Sequence, residues 1–517
     1  MYEARPTPPH AVPLYYATLC GFCDLIKHLL ITYPEDVNAV GGDCGTALHA
    51  AVVKGSVDVM VLLLEHGADV DALNQNDFTP LHEALERRRL DMMSLLLVHH
   101  ADINAQIRRG STALYRASFE GELEIVQQLL RHGAAANISD EEGYTPLMAA
   151  SKHGHLDIVH LLLENDARVD FKSNIGWTAL ICASQFGHPD VVHLLFQSGA
   201  VVDLPDNDGR TPLMSASQYG QPDVVGLLLQ IGASVDPRNI RGLTPLMCAS
   251  TQGYLDIVHL LLSNSASVDP RSIDGWTALM CASRFGHADV VHLLLQSGAA
   301  VDLPDNDGWT PLMSASRYGQ LDVVRSLLQN GASVDPCSIH GYTPLICASD
   351  QGYPDIVHLL LANDASVDSR DNDGWTALMC ASRFGHLDVV RLLLQSGATV
   401  DLPDNDGWSP LMSASRYEQL DVVRLLLQNG ATVDPRNIRG WTPLMCASEQ
   451  GYLDIVHLLL ANGASADCRN NVGWTPLMLA SRTGHADVVR MLLQNGANGN
   501  PNDSLSPSSG VSRFSSR

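Results

Sequence analysis

A threonine returns every 33 residues along this chain, at Thr46, Thr79, Thr112, Thr145, Thr178, Thr211, Thr244, Thr277, Thr310, Thr343, Thr376, Thr442 and Thr475, with Ser409 filling the one gap. A fixed internal period decides architecture first, because each unit is a small element that buries its apolar face only by stacking on its neighbours. Fourteen units follow one another without insertion or deletion, and a fifteenth, weaker one precedes them at "VPLYYATLCGFCDLIKHLL", Val12 to Leu30. The period occupies the chain from about residue 10 to 500 of 517 and leaves no room for a separate globular domain.

One unit, "DNDGWTALMCASRFGHLDVVRLLLQSGATVD", Asp371 to Asp401, shows how the pattern folds. Asn372, Asp373 and Gly374 signal a turn, and Thr376 is placed to cap a helix. Most units follow that threonine with proline, as in Thr310-Pro311, which sacrifices only an amide already unpaired. The first helix is expected to end at Phe384, with Gly385 left-handed beyond it. A second helix then starts near His386 and carries Val389, Val390, Leu392, Leu393 and Leu394 inward, closed by Gly397. Each second helix also holds an acid in its first turn, from Asp24 to Asp487, fifteen of the chain's 57 acidic residues. These complement the helix dipole, so the net charge of −25 is partly structural. It still argues against nucleic acid, which selects clustered Lys and Arg.

The recurring turn, T-P-L-x-x-A helix, "GHLDVV-LLL" and "GA-VD" resemble the ankyrin repeat. The resemblance implies an all-α repeat solenoid of stacked helix-turn-helix units with β-hairpin fingers, wound as a curved superhelix whose fingers and first helices line a groove. The family's histidine after T-P-L survives here only as His49 and His82; later units carry Met148, Met313 or Ile346. The expected organisation is a flexible N-terminus at 1–9, a degenerate capping repeat at 10–41, four divergent repeats at 42–173, three 99-residue triplets at 174–470, a C-terminal repeat at 471–500 and a disordered Ser-rich tail at 501–517.

The triplets are a second period. Residues 178–276 and 277–375 agree at 76 of 99 positions. Finger tips cycle from "PDND" at Pro205, Pro304 and Pro403 to "PRNIR" at Pro237 and Pro435. Tandem duplication accounts for this identity without any function; three equivalent patches would also suit a repetitive or oligomeric partner.

No residue pattern points to chemistry. Cys182, Cys248, Cys281, Cys347, Cys380 and Cys446 share one helix position and read as small buried thiols, and Cys20 and Cys23 form a lone CxxC on a helix with no second pair. The histidines at His188, His287 and His386 follow the glycine, where the start of a helix explains them. "DLPDNDGRTPLMS" at 203–215 lacks the acids an EF-hand needs at both ends. No phosphate loop, nucleophile elbow or kinase signature occurs, so the expectation is a non-enzyme with no cofactor and no bound metal. The N-terminal "MYEARPTPPH" has no apolar signal core and no apolar run is long enough for a membrane span; a soluble, monomeric, cytoplasmic or nuclear protein is expected.

Candidate binding residues follow from what the fingers display. All seven tryptophans precede the cap threonine: Trp177, Trp276, Trp309, Trp375, Trp408, Trp441 and Trp474. The residues before the helix-ending glycine, which are contact positions in the family it resembles, read Arg284-Phe285, Arg317-Tyr318, Arg383-Phe384 and Arg416-Tyr417. Trp, Tyr and Arg are enriched at interface hot spots; the structural alternative is tryptophans stacked along the fingers. The function expected is a scaffold binding intracellular proteins through the groove. Two alternatives stand beside it, a substrate-recruiting adaptor or regulatory subunit of an enzyme complex, and an elastic spacer or cytoskeletal linker. Glu418 replaces the glycine of sister units and is expected to mark a soft junction, and Ser506-Pro507 is a candidate phosphorylation site.

Overall fold

The computed structural model describes residues 12–42 and 45–498, so the expectations for 1–9, for the 501–517 tail and for Ser506-Pro507 lie outside the described residues. It holds 30 α-helices in fifteen consecutive pairs, from Pro13–Cys20 with Cys23–Thr32 to Pro476–Thr483 with Ala486–Gln494. The fold is an all-α repeat solenoid. Helices of seven to ten residues are too short to persist alone; they are held by packing and by their ends.

Both ends behave as the residue types dictate. The Thr376 hydroxyl accepts the Met379 amide at 3.3 Å, and Ser409 does the same for Met412. Gly385 takes φ 77 past the first helix. All fifteen second helices carry their first-turn acid, each a stabilisation of about 0.3–1 kcal/mol.

Two compact units emerge, residues up to Ile273 and residues from Asp274. Within each, first helices pack on the first helices of neighbouring repeats and second helices back them. The core is Leu and Met of the first helix against the Val-Val pair and one Leu of the second: Leu378, Met379, Val389, Val390 and Leu393 are all 1% exposed or less. Leu392 and Leu394, expected inward, are only partly buried, because the nine-residue helix turns a narrower stripe to the core than five apolar residues require. Met replaces the family histidine without loss of burial, as at Met313 and Met412.

The fingers are turns rather than strand pairs. Among the described residues one isolated antiparallel bridge forms, between Arg370 and Thr376. The CxxC also differs from expectation: Cys20 ends one helix and Cys23 begins the next, so the two exposed thiols bracket a turn. No helix of the described residues is long and apolar enough to cross a membrane.

Candidate functional site

Most fingers are built on one side-chain acceptor. Asp371 Oδ1 takes the amides of Asp373 at 3.0 Å and Trp375 at 2.7 Å, tying the turn from both sides. Burial pushes the carboxyl groups of Asp371 and Asp404 above the usual range. Asn437 and Asn470 make the same two contacts in later fingers without the charge.

Fingers are then spaced by a backbone relay. In the second unit the amides of Asn306, Ile339, Asn372, Asn405, Ile438 and Asn471 donate to the carbonyls of Asp274, Asp307, His340, Asp373, Asp406 and Arg439 in the preceding finger, at 2.9–3.1 Å. The first unit holds an equivalent series, from Glu141 on Arg109 to Ile273 on Arg241.

The tryptophans leave these turns half-buried, at all seven positions. Arginine lies over them. The Arg284 guanidinium is 5.4 Å from the Trp276 ring and 4.7 Å from Tyr318 of the next repeat; Arg383 repeats this at 5.5 Å from Trp375 and 4.8 Å from Tyr417. Arg317 covers Trp309 at 5.8 Å, Arg416 covers Trp408 at 5.4 Å, and Arg482 covers Trp474 at 4.9 Å. Beside them Phe285, Tyr318, Phe384 and Tyr417 stay 40–51% exposed. Aromatic contacts along the fingers also occur, with tyrosine as partner: Trp177 meets Tyr144 edge-to-face at 6.3 Å and Trp309 stacks on Tyr342 at 6.2 Å. Trp441 and Trp474 pack on Met445, Cys468 and Leu479. In the second unit the structure therefore brings Trp276, Trp309, Trp375 and Trp408 together with their predicted arginines and the exposed aromatics, whereas Trp177 and Trp441 have Gln185 and Glu449 at the arginine position.

At the arginine position the second unit reads Arg284, Arg317, Asp350, Arg383, Arg416, Glu449 and Arg482 in successive repeats. Arg482 pairs with Glu449 at 2.7 Å; Arg284, Arg317, Arg383 and Arg416 form no ion pair among the described residues.

Two sets of connecting residues escaped sequence reasoning. The carboxylates of Asp203, Asp302, Asp335, Asp368, Asp401, Asp434 and others each accept the amide 31 residues on, as Asp401 accepts Thr432 at 2.9 Å. Their strict 33-residue recurrence was the available signal. In several repeats the residue leading the second helix also reaches back to the preceding repeat: Nε2 of His188 donates to the Lys152 carbonyl at 3.0 Å and His386 to that of Asp350 at 3.1 Å. A Cβ on Gly352 would sit 2.4 Å from His386 Nδ1, so glycine there is required by its neighbour as well as by its φ of 78. Only the three-dimensional stack reveals that contact.

Burial pushes the thiols of Cys182, Cys347 and Cys446 up to about 12 and that of Cys380 well above its ordinary value. His49 receives the Thr46 amide at Nδ1 and donates from Nε2 to the Phe78 carbonyl. Among the described residues no three His, Cys, Asp or Glu side chains converge as metal ligands would.

Comparison with curated proteins finds no match for the chain. The sequence profile described as ankyrin repeats, in sets of three copies, matches residues 14–107, 95–173, 167–239, 232–305, 263–338, 297–371, 345–437 and 432–503. Joined to the fifteen capped helix pairs and their finger relay, that coverage means that the chain belongs to the ankyrin repeat family.

Proposed function

We propose that this protein is a non-enzymatic scaffold that binds intracellular proteins through the finger and first-helix face of its repeats. Ankyrin repeats are generally protein-interaction modules and typically lack enzymatic activity. The observation that carries the reading is the row of exposed aromatics at Phe285, Tyr318, Phe384 and Tyr417, each 40–51% exposed beside an arginine already stacked on tryptophan. Interfaces concentrate their binding energy in such aromatic and arginine groups. A stacked guanidinium loses less side-chain freedom on binding than a loose one.

The test is quantitative cross-linking of the full chain in cell extract, comparing wild type with Phe384→Ala/Tyr417→Ala. Both side chains are exposed, so the melting profile should hold while captured proteins are lost. An unchanged captured set with unchanged folding would sink the reading.

A further inference from the structure

Two rows of polar side chains run along the second unit, opposite in charge in four of five successive repeats and changing together in the third, where the helix row has Asp350 and the fingertip row His340. The first-helix row begins Arg284, Arg317, Asp350, Arg383, Arg416, and the fingertip row of the same five repeats is Asp274, Asp307, His340, Asp373, Asp406. All five fingertip residues are exposed, and their backbone carbonyls are committed to the finger relay, which fixes their spacing. In four of these repeats a tryptophan, two residues after the fingertip, lies under the arginine, and the third has Tyr342 there. The arginine heads are placed as well: the guanidinium carbons of Arg284 and Arg383 lie 4.7–5.5 Å from rings of two repeats, which holds each cation beside its ring, and a carboxylate is the acceptor a guanidinium matches best.

Spacing selects the occupant. Packed helices, and hence successive repeats, are about 8–10 Å apart. A polyproline II strand advances about 9 Å in each turn of three residues, so one residue in three faces each repeat. We infer that the second unit takes an extended protein segment of alternating charge with a three-residue period. Its helix-facing residues are acidic in four repeats and basic at Asp350, and its fingertip-facing residues carry the opposite signs. The five-repeat helix row reads the same from either end, so the segment runs in whichever direction sends its bases to the fingertips. A uniformly acidic segment is disfavoured by the fingertip aspartates, and single-stranded nucleic acid, which would stack on the same rings, by their charge. The inference rests on the proposal that this face binds proteins and specifies what it selects.

Two peptides of identical composition test it on the full chain by fluorescence anisotropy. One repeats Glu-Lys-Pro five times; the other inverts only the third triplet to Lys-Glu-Pro. Wild type should favour the inverted peptide by about fivefold, the scale of a few exposed charge contacts. His340→Asp/Asp350→Arg, which makes the third repeat like its neighbours, should reverse the preference. Equal affinities, no binding of either peptide, a preference that fails to reverse, or tighter binding of oligouridine would each overturn the inference. If the peptides fail while Phe384→Ala/Tyr417→Ala still loses its cross-linked proteins, the binding face stands and only its charge code falls.

Discussion

The Arg383 guanidinium lies 4.8 Å from the ring of Tyr417, one repeat further along the chain. The contact joins two repeats through a half-buried arginine and an exposed ring, and its strength is measurable separately from the core beneath. Arg383→Gln, Tyr417→Leu and the double variant form a cycle, read as the opening free energy of the Ala377–Phe384 amides by native-state hydrogen exchange. A coupling of about 0.5–1 kcal/mol is expected for a partly exposed cation and ring. Strict additivity would mean that the arginine is positioned by its own helix alone.

Glu418 holds φ 64 where sister repeats place Gly220 at φ 75 and Gly319 at φ 76. An L-residue in that conformation is strained by about 1–2 kcal/mol. The site is crowded too, since a Cβ at Gly319 would approach the Tyr353 ring to 2.8 Å, and Tyr452 is its counterpart beyond Glu418. Glycine would relieve both and give back about 0.4–1 kcal/mol in unfolded-state entropy. Glu418→Gly should therefore raise the urea midpoint of the full chain; a lower midpoint would show that the glutamate is stabilised by something other than its backbone.

The period made the repeats, their caps and the first-turn acids legible, because each depends on residue type at a fixed offset: Thr376 caps and Gly385 terminates wherever that unit occurs. Contacts between repeats were less legible. Asp401 and Thr432 are 31 residues apart, and nothing local marks the aspartate as an acceptor. The face was found from Trp375 and Arg383 as residue types, yet their stacking depends on side-chain directions that sequence does not encode. More than half of the 57 acids now have a structural place, in helix first turns, finger turns or inter-repeat bonds. Net charge consequently says little about partners here, and the order of charges along one face says more.

His82 supplies a pH dependence confined to the first unit. It is fully buried, Nδ1 lies 2.8 Å from the Thr79 hydroxyl, and Nε2 has no partner. Burial, with Arg116 adding to it, lowers its pKa from 6.5 to about 4. The unfolded chain therefore binds the proton more readily than the folded one. The associated stability is present above pH 6.5 and is lost as pH falls toward 4, by an amount on the order of 3 kcal/mol. His82→Met, the residue used in later repeats, should be less sensitive to acid than wild type over that window while matching or exceeding it at pH 7, since it removes an unsatisfied buried nitrogen. Parallel pH curves for the two proteins would rule out His82 as the source.

The aspartate series predicts that damage stays local. Asp401 accepts both the Thr432 amide and its hydroxyl, at 2.9 and 2.6 Å. Asp368 binds Thr399 through the same pair of groups. Both sites are exposed, so water replaces part of what a substitution removes, and a charge-assisted bond of this kind is worth about 1–2 kcal/mol. In a solenoid each repeat contacts only its neighbours, and stability is close to a sum of local terms. Asp401→Ala should therefore speed hydrogen exchange at the Thr432 amide and along Leu420–Gln428, whose following loop it anchors, while leaving Pro311–Arg317 unchanged. Asp401→Asn keeps one acceptor oxygen and should fall between wild type and alanine. Uniform acceleration across the second unit would mean that its repeats open as one cooperative block, and the bond would then be felt wherever the block is probed.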